Sequence, residues 1–105
     1  MAEIDNAVME NVAAFLERLK AAGMQIAGAW LFGSHLTGKA DEWSDIDIAI
    51  VTDRFIGDSF DFRFMLTRLA RAIDPDIEPH PYLASEFNKT NPMVAEILRS
   101  GEKIV

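Results

Sequence analysis

Two short apolar runs, Ile26–Phe32 and Ile46–Val51, constrain this chain more than anything else in it. Each is too short for a stable helix and is bounded by glycine or polar residues, so each reads as a buried strand. Ile46, Ile48, Ile50 and Val51 leave no polar side on the second run, which suits a strand covered on both faces. The first run ends on Gly33-Ser34, and the second opens on Asp45-Ile46-Asp47. Polar signals therefore sit where the two strands end and begin.

Helical periodicity fills much of the remainder. Ile4, Val8, Val12, Phe15, Leu16 and Leu19 predict an amphipathic helix from about Glu3 to Ala22, with Gly23 as its stop. Asp58 or Ser59 caps a second helix, whose apolar stripe is Phe62, Met65, Leu66, Leu69 and Ile73. Pro75 lies beyond its end. Asp76 to Tyr82 predicts a third strand, and Pro79 and Pro81 assign part of it to a sheet edge or a bulge. Asn91-Pro92 reads as an N-cap followed by proline at the first helical position, opening a helix to about Arg99. A short helical turn is expected around His35 to Lys39 and a loop over Asp41 to Ser44. Strands separated by helices give an α/β or α+β sheet with helices on one or both faces. At 105 residues this is one domain, 1–105.

Composition narrows the function. With no cysteine, disulfides and thiolate metal sites are excluded. A formal net charge of −7 disfavours duplex nucleic acid as a partner. An acidic chain can still hold a nucleotide if metal ions bridge the two sets of negative charge. No apolar run is long enough for a membrane span and no signal peptide is evident, so a cytoplasmic protein is the expectation.

The chemistry concentrates between the two strands. Gly33 permits a tight turn and close approach of backbone to a ligand, and Ser34 adds a hydroxyl there. A helix starting at that turn would aim free amides at a phosphate. Asp45 and Asp47, two apart on a strand, would project from one face with Cα atoms about 6.8 Å apart. That spacing lets both carboxylates converge on magnesium, a hard cation that commonly joins carboxylates to substrate phosphates. Gly-Ser alone is an ordinary turn, and Asp-x-Asp alone is common in solvated loops. The buried strands on either side set this pair of motifs apart.

The run Leu31-Phe32-Gly33-Ser34, with Gly38, and Ser44-Asp45-Ile46-Asp47-Ile48-Ala49-Ile50-Val51 resembles the signature of the nucleotidyltransferase superfamily related to DNA polymerase beta. It is most similar to the minimal nucleotidyltransferases, which are often encoded beside a helical partner of the HEPN class. The resemblance implies a small mixed sheet flanked by helices and a magnesium or manganese site at Asp45 and Asp47. It also implies a third carboxylate on a later strand. Glu78 is the choice, with Asp76 on the same strand face as the alternative. The implied reaction transfers a nucleoside monophosphate, AMP from ATP, to an acceptor hydroxyl. Asp45, Asp47 and Glu78 are its catalytic and metal-holding residues, and Gly33, Ser34, Lys39 and Ser44 bind the nucleotide. Thr37 stands where many relatives carry an arginine, and Lys39 offers a mobile charge in its place.

Larger relatives carry a further domain for the acceptor. The chain has no segment left to build one, so the reading expects a HEPN-type partner or self-association, with a tyrosine of the partner as acceptor in an antitoxin role. The rivals are an inactive partner-binding subunit and an antibiotic-modifying transferase. Phe55, Phe60, Phe87 and Met93 are candidates for an apolar docking surface. His80, between two prolines, shares a face with Glu78 if the strand stays regular and could support the site, although its context favours a structural role. His35, just after the Gly-Ser turn, could contact a phosphate or equally be a solvated loop side chain. Trp43 is expected at the core rim, and Arg63, Arg68 and Arg71 on a solvated helix face.

Overall fold

A computed structural model describes residues 6–33, 45–55 and 57–105. Among these, α1 spans Asn6–Ala21, β1 Ile26–Phe32, β2 Ile46–Thr52, α2 Ser59–Arg71, β3 Ile77–Leu83, α3 Pro92–Ser100 and β4 Glu102–Lys103, with a 3-10 turn at Ala84–Glu86. The four strands form one mixed sheet in the order β3-β2-β1-β4. β1 is antiparallel to β2 and to β4, whereas β2 and β3 run parallel. Among the described residues the fold is α+β, with three helices and a four-stranded mixed sheet. Four expected elements lie within a residue or two of their observed bounds. The expected turn over 35–39, the loop over 41–44 and the first residues of the expected N-terminal helix lie outside the described residues.

The sheet has two different faces because side chains alternate along each strand. Ala29 and Leu31 of β1, Ile46, Ile48 and Ile50 of β2, and Ile77 of β3 join one core cluster. Val12, Phe15, Leu16 and Leu19 of α1 and Phe62, Leu66 and Ala70 of α2 complete it. Truncating Ile48, which is fully buried, to alanine costs about 2–5 kcal/mol. Trp30 and Phe32 of β1 and Asp47, Ala49 and Val51 of β2 alternate with those residues and so face the other way. On β3, the register places Glu78, His80 and Tyr82 on that same second face. Phe87 leaves the 3-10 turn to meet Trp30 at 6.2 Å and Tyr82 edge-on at 5.4 Å between ring centroids. α3 packs against β1, burying Val94 and Ile97.

Local chemistry explains the helix ends. The Asp58 carboxylate accepts from the Asp61 amide at 2.8 Å and caps α2. Asn91 accepts from the Met93 amide at 2.9 Å, with Pro92 opening α3. Gly101 follows α3 with an ordinary φ of −78°, so it is not a left-handed cap. Glycine is needed there for space: a Cβ would lie 2.5 Å from the Ile97 carbonyl oxygen and 3.2 Å from that of Leu31. This glycine lets the chain turn from α3 into β4 against β1.

β3 stands at the sheet edge, as its two prolines predict, since an edge strand leaves one row of backbone groups unpaired. Pro79 is nevertheless buried, on the helix-covered side.

Candidate functional site

The site forms where β2 begins beside β3, and one residue of the preceding turn organises it. The Asp74 carboxylate accepts from the Asn11 side chain of α1 at 2.8 Å and from the Asp76 amide at 2.9 Å. The Asp74 carbonyl accepts from the Ile77 amide at 3.1 Å. With the turn fixed, the Asp76 carbonyl accepts from the Ile46 amide at 2.7 Å, which locks the first residues of β2 to those of β3. The resulting register pairs Ile46 with Ile77, and therefore Asp47 with Glu78.

Asp47 and Glu78 thus stand side by side on the second face of the sheet. Asp47 Oδ1 lies 3.1 Å from His80 Nε2. One ligand atom from each of Asp47, Glu78 and His80 falls within 4.8 Å of the others. The side chains of Asp47 and His80 are about a quarter exposed, enough to be reached from solvent while partly shielded from it. The Phe32 ring flanks the imidazole at 5.2 Å between centroids, which limits its rotation. Two carboxylates this close repel each other unless a cation joins them. The donor set, two carboxylates and an imidazole, suits a divalent cation.

Gly33 closes the site from the β1 side. Its φ is +89°, in the left-handed region that disfavours other residues. A Cβ at this position would lie 2.5 Å from Asp47 Oδ2, so the backbone of the turn rests directly against the carboxylate. The positive φ favours glycine here, and a side chain would also force the Asp47 carboxylate to swing aside.

Asp45 departs from expectation. The strand begins at Ile46, so Asp45 precedes it rather than lying on it. It is exposed and does not join the cluster of Asp47, Glu78 and His80. Instead it lines a neighbouring cleft of about 350 Å³ with Asp76 and Glu78. Arg63, Thr67 and Arg71 of α2 line the same cleft, so two arginines expected on a merely solvated face border the site. Their spacing of four residues puts the three on one helix face, a signal readable in the sequence. His80 lies two residues beyond Glu78 on the same strand face, as the spacing suggests, and stands in the cluster rather than in the purely structural role that its flanking prolines favour. Between the two candidates for the third carboxylate, Glu78 reaches Asp47, while Asp76 contributes a backbone carbonyl to the ladder. Ser34, Lys39 and Ser44, together with His35, Thr37, Gly38 and Trp43, lie outside the described residues.

The expected apolar surface is only partly present. Phe60 and Met93 are well exposed, as is Phe64. Phe55 stacks on Phe62 at 4.9 Å and packs against the core, and Phe87 is engaged by Trp30 and Tyr82. No helix among the described residues is long and apolar enough to cross a membrane.

Comparison with known proteins gives this geometry a context. No curated protein matches the chain. Among solved structures, the chain is similar to part of a toxin–antitoxin complex crystallised with AMP-PNP, at 22% identity and a TM-score of 0.66, over 96% of this chain and 73% of the other. It is similar to a candidate nucleotidyltransferase from Sulfolobus solfataricus, at 20% identity and a TM-score of 0.56, over 99% of this chain and 88% of the other. A third similarity is to a chain in the complex of tri-AMPylated Shewanella oneidensis HEPN toxin with MNT antitoxin, at 20% identity and a TM-score of 0.61, over 93% and 71%. At these identities the likeness is one of fold. The family described as "Polymerase beta, Nucleotidyltransferase" matches residues 10–105, nearly the whole chain, and it is to this family of nucleotidyltransferases that the protein belongs.

Proposed function

We propose that the protein transfers AMP from ATP, with magnesium or manganese, to a hydroxyl of a HEPN-type partner, a tyrosine being the acceptor, and so acts as a cytoplasmic antitoxin. The observation that carries this reading is the pairing of Asp47 with Glu78 across parallel β2 and β3, with the Gly33 backbone against the Asp47 carboxylate. The family match supports nucleotidyl transfer, and the likeness to a complex holding an AMPylated HEPN toxin supports the acceptor.

Asp47 and Glu78 would hold the cation, with Asp45 joining when the triphosphate arrives. Bound there, the cation supplies neutralisation of phosphate charge and a lowered pKa for the acceptor hydroxyl. The remaining work belongs to the chain. Gly33 leaves room for the triphosphate beside the backbone, and Ser34, Lys39 and Ser44 are the expected phosphate contacts. The acceptor oxygen bonds to the α-phosphorus as the bond from that phosphorus to the bridging oxygen breaks, and pyrophosphate leaves. Glu78, exposed at the sheet edge, accepts the hydroxyl proton. Holding both reactants in line is worth roughly 7–11 kcal/mol of barrier, which explains why a partner that presents the acceptor matters.

The test is incubation of the protein with ATP, magnesium and its neighbouring HEPN-type protein, followed by intact-mass measurement. Addition of AMP to the partner, abolished by Asp47→Ala, is expected. A partner that binds tightly yet stays unmodified would overturn the reading and leave a partner-binding subunit.

A further inference from the structure

We propose that His80 is itself a ligand in the cation site, and that the resulting set of one nitrogen and two oxygens makes the site favour manganese or cobalt over magnesium. The inference rests on the reading of Asp47 and Glu78 as cation-holding residues, but not on the transfer reaction.

The spacing of the ligand atoms fits a shared ion. Two ligands held at about 2.1 Å from one ion lie about 3.0 Å apart at a right angle and about 3.4 Å apart at the tetrahedral angle. Asp47 Oδ1 and His80 Nε2 are 3.1 Å apart, inside that interval. Glu78, in register with Asp47, completes a three-sided pocket whose ligand atoms lie within 4.8 Å of one another. Ligands on opposite sides of an ion at such bond lengths are about 4.2 Å apart, so a small rotation of Glu78, which is exposed and free to turn, brings it into range.

The imidazole is held in position. β3 projects His80 from the same face as Glu78, and the Phe32 ring at 5.2 Å backs it. Ligand preference follows from donor chemistry. Magnesium selects oxygen ligands and keeps several waters. Imidazole suits the first-row transition metals, and affinity for a mixed nitrogen and oxygen site rises from manganese towards cobalt and beyond. An all-carboxylate site has a weaker bias, since carboxylates suit magnesium and manganese alike.

The rival account is that His80 only donates a hydrogen bond to Asp47 and never touches the ion. The full chain is titrated with manganese alone, without nucleotide, and examined by pulsed electron paramagnetic resonance. Cobalt and magnesium affinities are measured by calorimetry on the same protein. A directly coordinated nitrogen is expected on manganese, absent in His80→Gln and retained in a protein whose other histidine, His35, is changed to Asn. Cobalt should bind at least tenfold more tightly than magnesium. His80→Gln should weaken cobalt binding about tenfold and change magnesium binding less than threefold. Manganese bound without a nitrogen ligand in the unsubstituted protein, or equal affinities for cobalt and magnesium, overturns the proposal, and neither result depends on a variant folding. Absence of AMP transfer with nitrogen coordination present would defeat the proposed function while leaving this inference standing. Transfer with magnesium but no nitrogen signal would do the reverse.

Discussion

The Cα of Gly33 faces the carboxylate of Asp47 so closely that a methyl group added there would lie 2.5 Å from Oδ2. Gly33 also has a φ of +89°, which costs other residues about 1–2 kcal/mol. Gly33→Ala is therefore expected to lower unfolding free energy by about 1–2 kcal/mol in denaturant titrations. Because Asp47 must swing away, manganese affinity should fall by more than the loss of stability accounts for. A folded variant with unchanged affinity would show that the carboxylate moves without consequence and that the turn is only a connector.

The pairing of Asp47 with Glu78 places two carboxylates side by side. Glu78→Gln is expected to leave stability unchanged or raise it by up to about 1 kcal/mol in chelator, since like charges directly opposite across strands destabilise. With cation the order reverses. The unsubstituted protein gains about 2.7 kcal/mol at a cation concentration one hundred times the dissociation constant, and the variant gains much less. Thermal unfolding with and without manganese reads both effects. A variant stabilised by manganese as much as its parent would remove Glu78 from the site.

Tyr82 is the only tyrosine of the chain, so its ionisation can be followed cleanly by ultraviolet difference absorbance. Burial pushes its phenol above the usual value near 10, and the charge of Arg63 offsets that in part. The sign follows from linkage. A folded-state value above the unfolded one adds stability that is complete below the unfolded value and lost as pH rises through the folded value. The native phenol should thus titrate above pH 10, and unfolding free energy should fall with alkalinity there. Arg63→Gln removes the opposing charge and should move the midpoint still higher. A midpoint at the ordinary value would show that solvent reaches the ring freely.

Much of this architecture could be read from the chain, for physical reasons that differ by element. Long periodic stripes such as Val12, Phe15, Leu16 and Leu19 identify helices because packing and periodicity agree. Asp58 and Asn91 identify helix starts because their side chains satisfy amides that nothing else nearby can. Pro79 and Pro81 mark a sheet edge. The direction of β1 against β2 was not legible, since that depends on the course of the connection between them. Nor was β4, whose two residues pair with Trp30 and Leu31 through backbone and not through any pattern of their own. Gly33 and Asp47 could be assigned to the site from local motifs alone. The spacing alone puts His80 on the face of Glu78, whereas its meeting with Asp47 depends on the register of β3 against β2, fixed through Asp74 and Asp76.

The separation of Asp45 from the cluster predicts a division of labour between the two aspartates of the Asp-x-Asp motif. Asp47 lies with Glu78 and His80, where a bare cation would be held. Asp45, exposed ahead of β2, lines the cleft that Arg63, Thr67 and Arg71 border. A carboxylate there can reach an ion only once the ion is drawn towards a bound triphosphate, whose charge the two arginines also attract. Asp45→Asn should therefore leave manganese affinity without nucleotide within about threefold of the parent, while Asp47→Asn lowers it at least tenfold, a loss of about 1.4 kcal/mol or more. With a non-hydrolysable ATP analogue present, both variants should lose at least tenfold in nucleotide affinity. Calorimetry in the two conditions separates the roles, since each variant is its own control for folding. If Asp45→Asn weakens bare manganese binding as severely as Asp47→Asn does, the two carboxylates converge on one ion before any nucleotide arrives. The arrangement in which Asp45 stands apart would then be one that the cation itself abolishes.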